Sequence, residues 1–233
     1  AVAYNNRIYL AGGFDGVSSL SSVIVYDISA NTWTPATSMP GVRIGGAFSI
    51  VGNQLIYVGG SDDAAVTNTV FIGTISGGDP LNISWTTAES VYPGLEKSVQ
   101  FSSSNDVAGV LNKAIRTKKD KQLENAAYPP GAMYRFEASP WGTDGIIVAC
   151  GSPSWTWLPA VPNPCYVYKP GTDTWIQQAD VPFPTTAAAS GTVHDGNTWK
   201  LVISGGINNS GVVAHETQIY TDNLGGASTF QLS

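Results

Sequence analysis

Arg7-Ile8-Tyr9-Leu10-Ala11-Gly12-Gly13, followed by Val23-Ile24-Val25-Tyr26-Asp27 and then by Trp33, is the stretch that decides the fold. It holds two apolar runs of strand length. The first ends in paired glycines, which suit a tight turn or a close backbone approach. The glycine-terminated run returns as Leu55-Ile56-Tyr57-Val58-Gly59-Gly60, as Ile146-Ile147-Val148-Ala149-Cys150-Gly151 and as Leu201-Val202-Ile203-Ser204-Gly205-Gly206. The aromatic spacing returns as well: Trp33 follows Tyr26 by seven residues, and Trp175 follows Tyr168 by seven. In the second copy Gly73 stands in the tyrosine slot with Trp85 displaced by a longer turn, and in the fourth Phe230 stands in for tryptophan after Tyr220. Self-similarity of this kind marks a repeat architecture, each repeat being one small sheet that cannot bury its faces alone.

An apolar strand, paired glycines, a second strand with tyrosine and a tryptophan one turn later together resemble the kelch repeat. The resemblance covers nearly the whole chain apart from a middle segment. It implies an all-β, kelch-type β-propeller of four-stranded antiparallel blades around a central channel, residues 1–233 being a single propeller domain or part of one. On that reading the glycines build the turns, and Tyr26, Trp33, Tyr168 and Trp175 pack between blades. Kelch propellers commonly have six or seven blades. Four recognisable repeats therefore point to further blades, a partner chain, or a fifth blade formed by the middle segment. A chain that opens on Ala1 is either processed or part of a longer polypeptide.

Residues 95–128 break the pattern and read as an irregular basic insertion or a degenerate blade. The segment holds Lys97, Lys113, Arg116, Lys118, Lys119 and Lys121, six of the eleven basic residues in the chain. Val107, Val110, Leu111, Ala114 and Ile115 fall at helical spacing behind Ser104, Asn105 or Asp106 as an N-cap, so an amphipathic helix competes with the degenerate blade. Arg116, Lys118, Lys119 and Lys121 are either a solvated charged face or a partner-docking element.

Only 12% of residues are charged, against about a quarter in an average domain, while Gly is frequent (26). A net charge of −6 argues against a nucleic-acid partner, which needs clustered cations. No apolar run reaches the roughly 18–20 residues of a membrane span, so membrane insertion is not expected. The sequence shows no cofactor motif and no metal-ligand spacing, and it offers no catalytic constellation. Some propellers of the same repeat are copper radical oxidases, but their paired histidine ligands find no match in His194 and His215. An enzyme of carbohydrate or carbonyl chemistry, such as an oxidase, is the alternative to a non-catalytic binding or structural propeller, and an architectural segment of a larger extracellular assembly is a third reading.

Four features bear on partner and compartment. Cys150 and Cys165 flank the ends of two strands expected to pair; set opposite one another they form a disulfide, and otherwise they are buried thiols. Asn82-Ile83-Ser84 and Asn208-Asn209-Ser210 match the N-glycosylation acceptor pattern. With a disulfide, these point to an extracellular or cell-surface protein. Trp155 and Trp157 belong to no repeat slot and are candidate ligand-facing aromatics for a glycan or protein partner. Arg43 falls where the resemblance implies an arginine aimed at the channel mouth, able to hold a carboxylate.

Overall fold

The computed structural model describes residues 1–94, 133–153, 158–160, 163–222 and 229–232. Those residues contain four antiparallel four-stranded sheets and no helix. Blade 1 comprises β1 (Val2–Tyr4), β2 (Arg7–Ala11), β3 (Val23–Asp27) and β4 (Thr32–Ala36); blade 2 comprises β5 (Ala47–Val51), β6 (Gln54–Val58), β7 (Val70–Ile75) and β8 (Ile83–Thr87). Blade 3 is β9 (Glu137–Trp141), β10 (Gly145–Ala149), β11 (Tyr166–Lys169) and β12 (Thr174–Gln177). Next come the short β13 (Thr185–Thr186) and β16 (Ile207–Asn208), which pair with each other. Blade 4 is β14 (Ala189–His194), β15 (Trp199–Ser204), β17 (Thr217–Thr221) and β18 (Thr229–Leu232). The arrangement is a β-propeller.

Each blade is a meander because its turns are short and locally dictated. Asn5 and Asn6 both take positive φ (46° and 58°), the two-residue turn whose twist suits a hairpin, and asparagine tolerates it. The tyrosine and tryptophan slots turn out to be cross-strand partners: Tyr26 faces Trp33, Gly73 faces Trp85, Tyr168 faces Trp175 and Tyr220 faces Phe230. Their rings lie 5.0, 4.6 and 5.1 Å apart in blades 1, 3 and 4. In blade 2 the Trp85 ring covers Gly73 itself, so a Cβ there would lie 2.7 Å from the indole. The displaced tryptophan therefore still reaches its slot.

Strand alternation gives each blade two apolar faces, and three clusters form where blades meet. Tyr9, Val23 and Val25 of blade 1 pack on Leu55, Tyr57 and Phe71 of blade 2. Ile56, Val58 and Val70 then meet Ile146, Val148 and Tyr168 of blade 3, with Tyr92 between them. Ile147, Cys165 and Val167 meet Leu201, Ile203 and Tyr220 of blade 4. Blades 2 and 3 are thus direct neighbours, while residues 95–128, with the helix-or-blade alternatives and Arg116, Lys118, Lys119 and Lys121, lie outside the described residues. Tyr26 and Trp33 correct the expectation of packing between blades: their pair sits on an open face, with Trp33 54% exposed.

Every diglycine slot is left-handed. Gly12 and Gly13, Gly59 and Gly60, Cys150 and Gly151, and Gly205 and Gly206 all have φ between 57° and 109°. This conformation turns the second amide towards the next blade: Gly13 donates to the Arg43 carbonyl (2.8 Å), Gly60 to Met133 (2.9 Å) and Gly151 to Thr185 (2.9 Å). At Gly12 a Cβ would come within 2.4 Å of the Arg43 carbonyl oxygen, whereas at Gly205 the nearest atom is 3.8 Å away. Gly12→Ala combines backbone strain of about 1–2 kcal/mol with a clash, and Gly205→Ala carries the strain alone. Urea unfolding should therefore show Gly12→Ala losing at least about twice the stability that Gly205→Ala loses.

Candidate functional site

Three segments lead into the innermost strands of blades 2, 3 and 4: Arg43-Ile44-Gly45-Gly46-Ala47, Met133-Tyr134-Arg135-Phe136-Glu137 and Thr185-Thr186-Ala187-Ala188-Ala189. They are structurally equivalent. Ile44 bridges Ser61, Tyr134 bridges Ser152, and Thr186 pairs with Ile207. The third residue of each is left-handed, Gly45 at 66°, Arg135 at 56° and Ala187 at 53°. These three make a relay around the channel mouth: the Arg135 amide donates to the Gly45 carbonyl (2.6 Å) and the Ala187 amide to the Arg135 carbonyl (2.9 Å). Thr186 Oγ1 donates to the same Arg135 carbonyl (3.1 Å).

A cavity of about 470 Å³ opens beside the relay, lined by Gly45, Gly46, Arg135, Glu137, Ala187 and Ser190 among others. Two of its residues depart from the repeat. Arg135 stands where the neighbouring blades have Gly45 and Ala187, and Glu137 where they have Ala47 and Ala189. The Arg135 guanidinium lies 4.8 Å from the centre of the Tyr134 ring, a cation–π contact that holds it at the mouth. Burial pushes the Glu137 carboxyl up to about 7, the Ala1 amine partly offsetting it. Ser190 Oγ lies 3.3 Å from Ser139 Oγ on the adjacent inner strand. The site thus presents a fixed cation, a carboxyl that titrates near neutrality and hydroxyls, suited to engaging a polar side chain or an acidic group.

Loops joining the second and third strands of the blades share this face. Asp15 Oδ1 accepts from Val17 and Ser18, Asp62 Oδ1 from Ala64 and Ala65, and Asn208 Oδ1 from Ser210 and Val212. Each loop is therefore an Asx turn built on its own backbone. The Asp15 carboxyl is held below its ordinary value by the Ser18 and Val17 amides. The tips carry exposed apolar groups, Val17, Val212 and Val213.

Arg43 is placed elsewhere. It is buried at the junction of blades 1 and 2, donating to Thr69 Oγ1 and to the Val42 carbonyl (2.7 Å each), with its guanidinium 4.5 Å from the Phe71 ring centre. The arginine at the cavity is Arg135, which motif reading missed; setting the three lead-in segments in register exposes it, because charge replaces a small residue. Trp155 and Trp157 lie outside the described residues. The base of their loop is tied down by the Ala160 amide and by Asn163 Nδ2, both donating to the Gly151 carbonyl (2.9 and 3.2 Å).

The expected disulfide is corrected: Cys150 and Cys165 are both free thiols, fully buried. Ile147 faces Val167 and Val148 faces Tyr166, a register that sets Cys165 across from Ala149 rather than from Cys150. Cys150 also occupies the left-handed glycine slot, φ 67°, with its sulfur 3.4 Å from Thr185 Oγ1. Burial pushes the Cys150 thiol up to about 12 and the Cys165 thiol well above its ordinary range. A thiol reagent at neutral pH should label neither cysteine in the native chain and both after unfolding. Of the glycosylation candidates, Asn82 is exposed, while the Asn208 side chain is folded into its turn. His194 is stacked on Trp199 at 4.8 Å, away from the cavity residues. Among the described residues no group of three or more His, Cys, Asp or Glu is placed to hold a metal.

Residues 1–40 match the family model described as the kelch motif. That stretch is blade 1, which thus carries a kelch motif. It is 25% identical over 205 residues to Kelch-like protein 35 of Mus musculus, covering 88% of this chain and 26% of that protein. It is also 25% identical over 228 residues to Kelch-like protein terF of Aspergillus terreus, covering 87% of this chain and 48% of that protein. The solved structure of YjhT superposes with a TM-score of 0.58 at 13% identity, covering 91% of this chain and 52% of that one. The chain thus spans about a quarter to a half of the length of these proteins.

The titration of Glu137 has a consequence for stability. A carboxyl raised from 4.5 to about 7 carries no folding penalty below pH 4.5, a growing one between pH 4.5 and 7, and a constant one above. Glu137→Gln should therefore match the parent in urea unfolding near pH 4.5 and exceed it by about 1–3 kcal/mol at pH 8.

Proposed function

We propose that this chain is a non-catalytic, protein-binding propeller that engages its partner across the channel-mouth face. The observation that carries the reading is the departure of Arg135 and Glu137 from slots that are otherwise glycine or alanine. Residues that build the repeat recur with it. These two break it where residues of three blades line a cavity, which is where a binding role places them. Around them the Asx-turn loops hold Val17, Val212 and Val213 out to solvent, giving apolar contacts about a polar centre, the usual composition of a protein-docking surface. A segment presenting an acidic side chain fits best, because a guanidinium fixed over an aromatic ring recognises a carboxylate without first being ordered.

The names of the relatives speak of the kelch repeat and carry no substrate. A glycan partner rests on Trp155 and Trp157 alone, and an oxidase rests on the fold alone, so neither competes with the channel-mouth reading. An extracellular or cell-surface location now stands on Asn82 and Asn208 without the support of a disulfide.

Affinity capture with quantitative mass spectrometry tests this, comparing the parent with Arg135→Ala, with Glu137→Gln and with Asp144→Ser on the opposite face. Asp144 only closes the β9–β10 hairpin through Lys169. Partners held by the parent and by Asp144→Ser should fall at least about tenfold with Arg135→Ala, as expected for loss of a well-buried arginine contact. Equal retention by all variants would remove the channel mouth as the docking site.

A further inference from the structure

Glu137 carries a carboxyl that no described residue pairs with. It lines the channel-mouth cavity together with Arg135 and Ser190, in a slot where the neighbouring blades have Ala47 and Ala189. The fold therefore does not need an acid there. Among the described residues none gives the carboxyl a hydrogen bond: burial acts on it, and the Ala1 amine, which shares the cavity, opposes burial without closing an ion pair. The cations of the described residues are engaged elsewhere. Arg7, Lys169 and Lys200 pair with Asp27, Asp144 and Asp195 at the hairpin ends, Arg43 lies buried between blades 1 and 2, and the Arg135 guanidinium is held over the Tyr134 ring.

Arg135 and Glu137 stand two residues apart on one segment, so at most about 7 Å of chain separates them. A carboxylate docked on Arg135 alone would come to rest near a second carboxylate, and like charges confined in a cavity disfavour one another. Either Glu137 takes up a proton or the ligand brings a positive group of its own. The elements packed around Glu137 do not supply one. Residues 45–51 and 185–193 hold no ionisable side chain, the Tyr57 hydroxyl accepts from the Gly46 amide, and Cys150, just past β10, presents a thiol that burial keeps protonated. The Ser190 hydroxyl is taken up with that of Ser139.

We propose that the cavity recognises a charge pair: the docking segment carries a lysine or arginine within two residues of its acidic side chain, the acid meeting Arg135 and the cation meeting Glu137. This rests on the protein-docking reading above and gives the partner a second, opposite charge. An extended segment spaces alternate side chains by about 6.5–7 Å, the same reach that separates the two site residues. Such a segment satisfies both charges at once. A partner bearing the acid alone meets a repulsive group, which is how a site rejects a near match. The two kinds of partner differ in pH dependence. The Glu137 carboxyl titrates at about 7, and a cation beside it draws its proton off, so binding of a charge pair tightens as pH rises from about 6 to about 8. A lone acid needs the protonated form, and its binding weakens over the same range.

A phage-displayed library of random dodecapeptides, selected on the parent near pH 8 and counter-selected on Arg135→Ala, supplies the probe. Recovered peptides should hold an acid and a lysine or arginine within two positions at least about fivefold more often than the starting library does. A synthetic peptide of the most enriched sequence should bind Glu137→Gln about tenfold more weakly than the parent near pH 8, and equally near pH 5, where the parent carboxyl is protonated. Replacing the basic residue of that peptide by glutamine should abolish the difference between the two proteins. Glu137→Gln removes a charge that burial disfavours, so weaker binding is not lost folding. Peptides that lose binding with Arg135→Ala yet bind Glu137→Gln as well as the parent would overturn the charge pair and leave the docking reading standing. A library that yields no peptide able to tell the parent from Arg135→Ala would overturn both.

Discussion

An amide aimed by a left-handed turn is the bond on which the order of blades depends. After each second strand two residues take positive φ, and in blades 1 to 3 the second of them points its N–H at the lead-in of the next blade, as Gly13 does to Arg43, Gly60 to Met133 and Gly151 to Thr185. L-residues with a side chain adopt that conformation at a cost, so glycine fills seven of the eight positions, the pairs 12–13, 59–60, 205–206 and Gly151, with Cys150 the exception. Where the next blade presses close, as the Arg43 carbonyl does on Gly12, the side chain is excluded by volume as well as by strain. Backbone geometry thus fixes where one blade ends and the next begins, and the apolar faces then make the junction stable.

The candidate site arises from the same geometry. Once each lead-in is pinned to the preceding turn, its third residue takes the left-handed conformation, and at Gly45 and Arg135 the carbonyl accepts the amide of the next lead-in. Gly45 and Ala187 accept this with little or no side chain. Arg135 accepts it with a full guanidinium, stabilised over Tyr134 and by amide bonds on both sides of its own peptide. The strain at Arg135 is of the size usually retained only where surrounding structure holds it in place.

Most of the fold was legible in the residues, because the repeat is written in spacing. The spacing of Tyr26 to Trp33 and of Tyr168 to Trp175 marked the repeat, the ladder shows that spacing to be a cross-strand pair, and Phe230 occupies the equivalent slot opposite Tyr220. Less of the site was legible. A repeat reveals what kind of position a residue fills but not whether a neighbour covers it, so Trp33 reads like Trp175 although one is exposed and the other lies beneath Tyr92. The cysteines failed for a related reason: one step of register separates facing residues from diagonal ones, and only the hydrogen-bonded ladder fixes that step. Arg43 and Arg135 lie two positions apart in the aligned lead-ins, and that offset sends one into a blade junction and the other to the channel.

The loops at the channel mouth close on their own backbones through Asp15, Asp62 and Asn208, and Asp63 of the blade 2 loop accepts from the amide and hydroxyl of Ser19 in the blade 1 loop. The exposed side chains of Val17, Val212 and Val213 therefore add little to the folding of the sheets. Val17, Val212 and Val213 can change identity, and the loops can lengthen, without disturbing the glycine turns or the interblade cores. Natural variation in recognition has somewhere to accumulate at little risk to the scaffold, and a library confined to these tips would sample new specificities on an unaltered frame.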